Sequence, residues 1–103
     1  MSIPTLTSGE LAAARAKAVL TRRARAALKD QVRRGDLSPL DALDQALADP
    51  QLKLIAVIDF LKAIPRIGEK KSVVIMDRYS IAMSRRIGGL GPHQLAGLKR
   101  EFG

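Results

Sequence analysis

Residues 49–64 read DPQLKLIAVIDFLKAI, and the apolar positions of this run leave few faces for water. Set on a helix, Leu52, Leu54, Ile55, Val57, Ile58, Phe60, Leu61 and Ile64 nearly encircle the axis. A helix wetted on one side carries an apolar stripe, whereas one that is apolar nearly all round must be covered from several directions. The run therefore predicts a central buried helix on which the rest of a small chain packs. Its β-branched content also suits a strand, but Asp49 as a cap, Pro50 at the first helical position and the length favour a helix.

The flanking segments punctuate helices in the same way. Residues 1–7, MSIPTLT, read as an extended arm, because Pro4 and two Thr disfavour helix. Thr7 or Ser8 caps a long Ala-rich helix over 8–34, Glu10 suits its first turn, and Gly35 ends it. Ser38 and Pro39 open the next helix, with Asp41 and Asp44 at its positive end. Pro65 and Gly68 predict a tight turn, followed by a helix over 69–79 that buries Val73, Val74 and Met76 in part. SRRIGGLGP is a second turn region with one short helical turn at Ser84–Ile87, and Pro92 opens a last helix. No segment carries a strand signal. The expected fold class is all-α, a long N-terminal helix followed by a compact helical bundle over 38–103, in a single domain spanning 1–103.

A chain of 103 residues with Phe60, Tyr79 and Phe102 as its aromatics has a thin aliphatic core. It holds no Cys, so disulfide and thiolate chemistry are excluded. The first residues lack a signal peptide's pattern, and no apolar run approaches the roughly 20 residues that span a bilayer, so a soluble cytoplasmic protein is expected. His93 is the single histidine and falls at a helix start, where a surface position is expected. Asp41 and Asp44 are explained by helix-end charge rather than as a catalytic pair. No phosphate-binding loop or dinucleotide fingerprint is present. We expect no catalytic residue, metal site, cofactor or small-molecule substrate.

What remains is charge. The formal net charge is +8 and the pI about 10.6, an excess that in so short a chain points to a polyanionic partner, nucleic acid first. Two places concentrate it. With about 100° per residue, Arg15, Arg22, Arg25, Lys29 and Arg33 fall in a stripe about 80° wide along the first helix. Ala13, Ala16, Leu20, Ala24, Ala27 and Leu28 lie on the other side, expected to pack on the central helix. No carboxylate occurs between Glu10 and Asp30, so the stripe forgoes i,i+4 ion pairs. It reads either as a solvated face or as a surface that tracks phosphates. The second place is IPRIGEKKS, a turn leading into a helix whose first N–H groups favour an anion. There Gly68 permits close backbone approach, and Lys70 and Lys71 stand where the helix dipole disfavours cations. Arg85 and Arg86 follow beside another Gly-rich turn.

IPRIGEKKS…IM resembles the hairpin of helix-hairpin-helix and helix–two-turns–helix modules. RYSIAMSRRIGGLGPHQLAGLKREFG resembles the C-terminal half of the actinobacterial integration host factors, and LTSGELAAA with the basic first helix is similar to their start. The resemblance implies an all-helical monomer that binds duplex DNA with little sequence preference. It implies a nucleoid-associated protein that shapes DNA and assists phage integration, with a phage integrase complex as a possible partner. It places Pro65, Gly68, Arg85 and Arg86 at the backbone and minor groove, and Arg66, Ile67, Lys70 and Lys71 complete the candidate hairpin site. Two positions depart from the family pattern. Arg66 replaces a hairpin glycine, which strains the turn if φ > 0 is required there. Gly88 replaces a third arginine. An RNA-binding role and a non-catalytic adaptor for an acidic protein stay open as alternatives, and the Arg15–Arg33 stripe is a candidate second DNA surface on a different side from the hairpin.

Overall fold

The computed structural model describes residues 7–103, so the expected arm lies outside the described residues except for Thr7. The elements are α1 (Ser8–Arg33), α2 (Pro39–Ala48), a 3-10 turn at Leu52–Leu54, α3 (Val57–Ala63), α4 (Gly68–Arg78), a 3-10 turn at Ile87–Gly89, and α5 (Pro92–Phe102). The expected all-helical architecture with a long first helix is what the chain forms.

The local signals act as their chemistry dictates. Glu10 N donates to Thr7 Oγ1 at 3.1 Å and Thr7 N to Glu10 Oε2 at 3.4 Å, a reciprocal cap at the start of α1. At its end Gly35 takes φ +79, with Asp36 N donating to Gln31 O and Gly35 N to Val32 O. That is the Schellman pattern, which needs a left-handed residue just past the helix. Ser38 caps α2 with Pro39 in its first turn. α4 ends in the same pattern as α1, but with Ser80 at φ 54 in the left-handed position, so that Ile81 turns into the core.

The central helix departs from expectation. Residues 50–64 do not form one helix: a 3-10 turn at Leu52–Leu54 gives way to extended Ile55 and Ala56 before α3 begins at Val57. Asp49 caps no helix start: its Oδ1 accepts from Gln51 N at 2.8 Å in a local turn ahead of the 3-10 segment, whose own N-cap is Gln51. The break is stabilised from outside, because Ala56 pairs with Arg86 in an isolated antiparallel bridge. Val57 N donates to Arg85 O at 2.9 Å and Ile87 N to Ile55 O at 3.0 Å. Ile55 is β-branched and adopts this extended geometry readily. The kink re-aims the apolar run so that Leu52, Ile55, Val57, Ile58, Phe60, Leu61 and Ile64 are buried, leaving Leu54 at 47% exposure. The same bridge overturns the expected helical turn at Ser84–Ile87. Arg86 is held extended at φ −103, ψ 159, and the turn begins three residues later than expected, at Ile87–Gly89.

α2 contributes Ala42, Leu43 and Ala46 to the core. α5 adds Leu98 and Phe102, whose ring lies 5.9 Å from that of Phe60 at 59°. α4 presents Ser72, Ile75 and Met76 inward, while Val73 and Val74 are exposed, contrary to expectation. The i, i+3, i+4 spacing of 72, 75 and 76 defines the packed face, and 73 and 74 fall outside it. α1 also packs differently from its sequence. Only Leu28 and Val32 are buried, Ala24 is half-buried, Leu20 is 60% exposed, and everything from Ser8 to Leu20 faces solvent. The first half of α1 projects beyond the bundle, and the molecule measures 50 × 32 × 24 Å.

α4 and α5 are clasped at their ends by Glu101. It accepts from the Tyr79 hydroxyl at 2.9 Å and pairs with Arg78. The Tyr79 hydroxyl first, then Arg78, hold the Glu101 carboxyl below the usual carboxylate range. A carboxylate with a depressed folded pKa stabilises above its unfolded pKa, about 4.3, and loses that contribution as pH falls through the folded value. Glu101→Gln is therefore expected to lower the melting temperature at neutral pH. The difference from the parent should shrink towards zero in melts taken below pH about 4; a gap that stays constant down the titration would remove the clasp from the stability of the fold.

Candidate nucleic-acid interface

The hairpin joins α3 to α4. Ile64 O accepts from Ile67 N at 3.0 Å and from Gly68 N at 3.3 Å, closing a turn over Pro65 and Arg66. Pro65 presets the backbone at the first corner. Gly68 sits at φ +70, where a side chain is strained although no atom crowds it within 4 Å. Arg66 carries no such strain, because Ser80 is the sole non-glycine with positive φ among the described residues. The turn demands its left-handed residue at 68, not at 66. Arg66 Nη2 donates to Phe102 O at 3.4 Å, tying the hairpin to the end of α5 while the side chain stays largely exposed.

Ile67 is half-buried against the core and anchors the loop. α4 then starts with no side-chain cap, unlike α1 and α2. Gly68 N is taken by Ile64 O, and the N–H groups of Glu69, Lys70 and Lys71 behind it are left for solvent or an anion, with the helix dipole adding to their field. Lys70 and Lys71 are exposed there, with Glu69 as the one carboxylate of the first turn. The six candidate hairpin residues thus form one contiguous rim.

Arg85 and Arg86 are placed elsewhere. Their backbone is stitched to the N-terminal end of α3 by the Ala56 bridge, whereas the hairpin leaves its C-terminal end. α3 has seven residues, so the two places are about 10 Å apart along the helix. Both arginines are exposed. Arg85 Nη1 donates to Gly89 O at 3.1 Å, and the Arg86 guanidinium donates to Leu54 O. A guanidinium has five N–H groups, so each keeps donors for a second acceptor.

Part of the α1 stripe comes to Arg86. Arg22, Arg25 and Lys29 line a cleft of about 480 Å3 with Leu54, Asp59 and Arg86. Arg25 Nε donates to Gln51 O at 3.1 Å, fastening α1 to the segment that also holds Arg86. The cause is the packing face of α1. Leu28 and Val32 lie about 80° round the axis from the centre of the stripe, beside it rather than opposite, so burying them turns the stripe towards residues 54–59 and 86. Arg22, Arg25 and Lys29 of the stripe thus meet Arg86, near the N-terminal end of α3, whereas the hairpin leaves its C-terminal end. Arg15 stands alone on the projecting half of α1, and Arg33 is paired with Asp30 at 2.7 Å. Asp59 is the one carboxylate on the cleft wall against Arg22, Arg25, Lys29 and Arg86. Confined cations of one sign raise the local potential and favour an anion that enters. Their convergence on Arg86 had no signal in the sequence, because it depends on the break at Ile55–Ala56.

Comparison with known proteins bears on the fold and the family. Residues 32–102 match the model of the S13-like H2TH domain. The chain is 41% identical to the integration host factor of Mycobacterium tuberculosis, over 100% of this chain and 98% of that protein. It belongs to the actinobacterial integration host factor family. The Streptomyces coelicolor integration host factor is 36% identical over 100% of this chain and 96% of its own. A solved structure of sIHF bound to an 8 bp palindromic DNA superposes with a TM-score of 0.79 at 34% identity, covering 84% of this chain and 98% of that one. Members of this family are non-catalytic. Among the described residues, no helix is long and apolar enough to cross a membrane.

Proposed function

We propose that this member of the family binds duplex DNA with little sequence preference, through the phosphate backbone and the minor groove. The observation that carries the reading is the convergence of Arg22, Arg25, Lys29 and Arg86 on one cleft, in a chain that superposes on a relative solved with DNA. Arg85 and Arg86 extend from a segment held at both ends by backbone hydrogen bonds, so they meet the ligand with little ordering cost. The hairpin offers the uncapped start of α4, with Arg66, Lys70 and Lys71 around it. Contacts at both ends of α3 suit a protein that holds a duplex along a curve or bridges two segments, and thereby shapes a nucleoid. As a monomer in the cytoplasm, it would assist phage integration by bending DNA for the integrase complex.

Three aromatics in the whole chain supply no stacking platform for single strands. The test is competition against a labelled DNA duplex with unlabelled duplex DNA of unrelated sequence, duplex RNA of equal length and an acidic polypeptide of equal charge. Duplex DNA is expected to displace the label at the lowest concentration, whatever its sequence. Displacement by RNA or by the polypeptide at lower concentration than by DNA would replace this reading.

A further inference from the structure

Gly88 stands two residues past the Arg85–Arg86 pair, and its backbone does not require glycine, since positive φ among the glycines is confined to Gly35 and Gly68. A side chain at this position would instead crowd a neighbour. A Cβ at Gly88 would stand 3.0 Å from Lys53 Cβ, 3.3 Å from its Cγ and 3.4 Å from its Cδ. The aliphatic stem of Lys53 lies flat on the Gly88 backbone, covering the space where a residue 88 side chain would begin. Next to Lys53, Leu54 O accepts from the Arg86 guanidinium, and next to Gly88, Gly89 O accepts from Arg85. Lys53 is exposed, and among the described residues it has no ion-pair partner.

We infer that Lys53 is a DNA-phosphate contact of the Arg85–Arg86 segment, supplying from the 3-10 turn at Leu52–Leu54 the third cation that residue 88 does not. This rests on the DNA-binding reading above. Two segments more than thirty positions apart in sequence, 52–54 and 85–89, then act as one cationic knob: Lys53 packs on Gly88 while Arg86 is held by Leu54 O. Lysine snorkels readily in this way, burying its stem and leaving the ammonium in water. A phosphate needs no planar fork and is bound well by a point charge.

The experiment measures duplex affinity against salt for the parent, Lys53→Gln, Lys53→Arg and the pair Arg85→Ala with Arg86→Ala. Circular dichroism melts run beside it. Lys53→Gln keeps most of the stem on Gly88 and removes the charge. It is expected to reduce the magnitude of the log–log salt slope by about 0.9 and affinity by about fivefold at 0.15 M salt, the loss of one phosphate contact. Lys53→Arg should keep the parent slope, and all melts of the Lys53 variants should match the parent. If Lys53→Gln binds with the parent slope while the arginine pair loses slope, Lys53 is a surface residue and the inference fails, though the DNA reading stands. If the arginine pair also keeps the parent slope, both fail together. A Lys53→Gln variant that loses affinity only because its melt has collapsed overturns the inference in favour of a packing role.

Discussion

Arg85→Ala combined with Arg86→Ala is expected to lower affinity for a DNA duplex by about 30-fold at 0.15 M salt, with the fold left in place. Each phosphate contact removed takes about 0.9 from the log–log salt slope, so losing two gives this factor at that ionic strength. If the parent neutralises on the order of 5 phosphates, its slope lies between about −4 and −5 and that of the variant near −3. The side chains are exposed, so no core contact is lost. The backbone hydrogen bonds from Val57 N to Arg85 O and from Ile87 N to Ile55 O survive the change. The bonds given up are those of Arg85 to Gly89 O and of Arg86 to Leu54 O, each at the surface. Such bonds contribute about 1 kcal/mol or less. Filter binding or fluorescence anisotropy across a salt series decides the matter. An unchanged slope would show that these arginines do not meet phosphate, and an unfolded variant would make the pair structural.

Gly97→Ala produces the largest loss of stability expected from a single added methyl group. In an exposed helix interior the change from Gly to Ala stabilises by about 1 kcal/mol, through backbone entropy. Here the sign reverses. Gly97 lies within α5 and is buried against Tyr79. A Cβ would stand 2.4 Å from both Cδ1 and Cε1 of the ring and 2.8 Å from Cζ. The ring resists retreat because its hydroxyl donates to Glu101 at 2.9 Å, and Arg78 holds the same carboxylate. Overpacking of this kind costs about 1–3 kcal/mol or more, enough to lower the melting temperature of a domain this size by roughly 5–20 °C. Removing the ring should relieve the clash, so Gly97→Ala made in a Tyr79→Ala background is expected to cost far less than in the parent. Additive losses in that double-mutant cycle would place the damage elsewhere than the ring.

Several features of the fold were legible because their causes are local. Thr7 with Glu10, Ser38 with Pro39, and Gly35 past the end of α1 each act within one helical turn, where the interacting groups are also neighbours in sequence. The same holds for the hairpin, whose Gly68 carries the positive φ. Phase errors mark where locality ends. The periodicity of α4 admitted Val73 and Val74 as inward residues beside Met76, and only the packing against α3 turned Ser72 and Ile75 in with Met76 instead. On α1 the Ala and Leu side was read as the packed one, but that helix outruns the bundle, so Leu20 has nothing to meet.

The amino-acid sequence by itself determined the helical class, the order of the helices, the family and the two candidate cationic regions. Composition, caps and periodicity act through short-range backbone geometry and through net charge, and neither needs a partner from far along the chain. Tertiary structure alone decided how those regions are assembled. The apolar run at 50–64 breaks at Ile55–Ala56 because residues 85–87 supply the backbone hydrogen bonds that a continuous helix would have made internally. That break sets Leu54 O against Arg86, and the same two segments bring the Lys53 stem onto Gly88; Arg25 fastens α1 to Gln51 just before them. Cations of α1 and Arg86, far apart in sequence, thereby line one cleft, because buried backbone groups must find partners wherever the fold provides them.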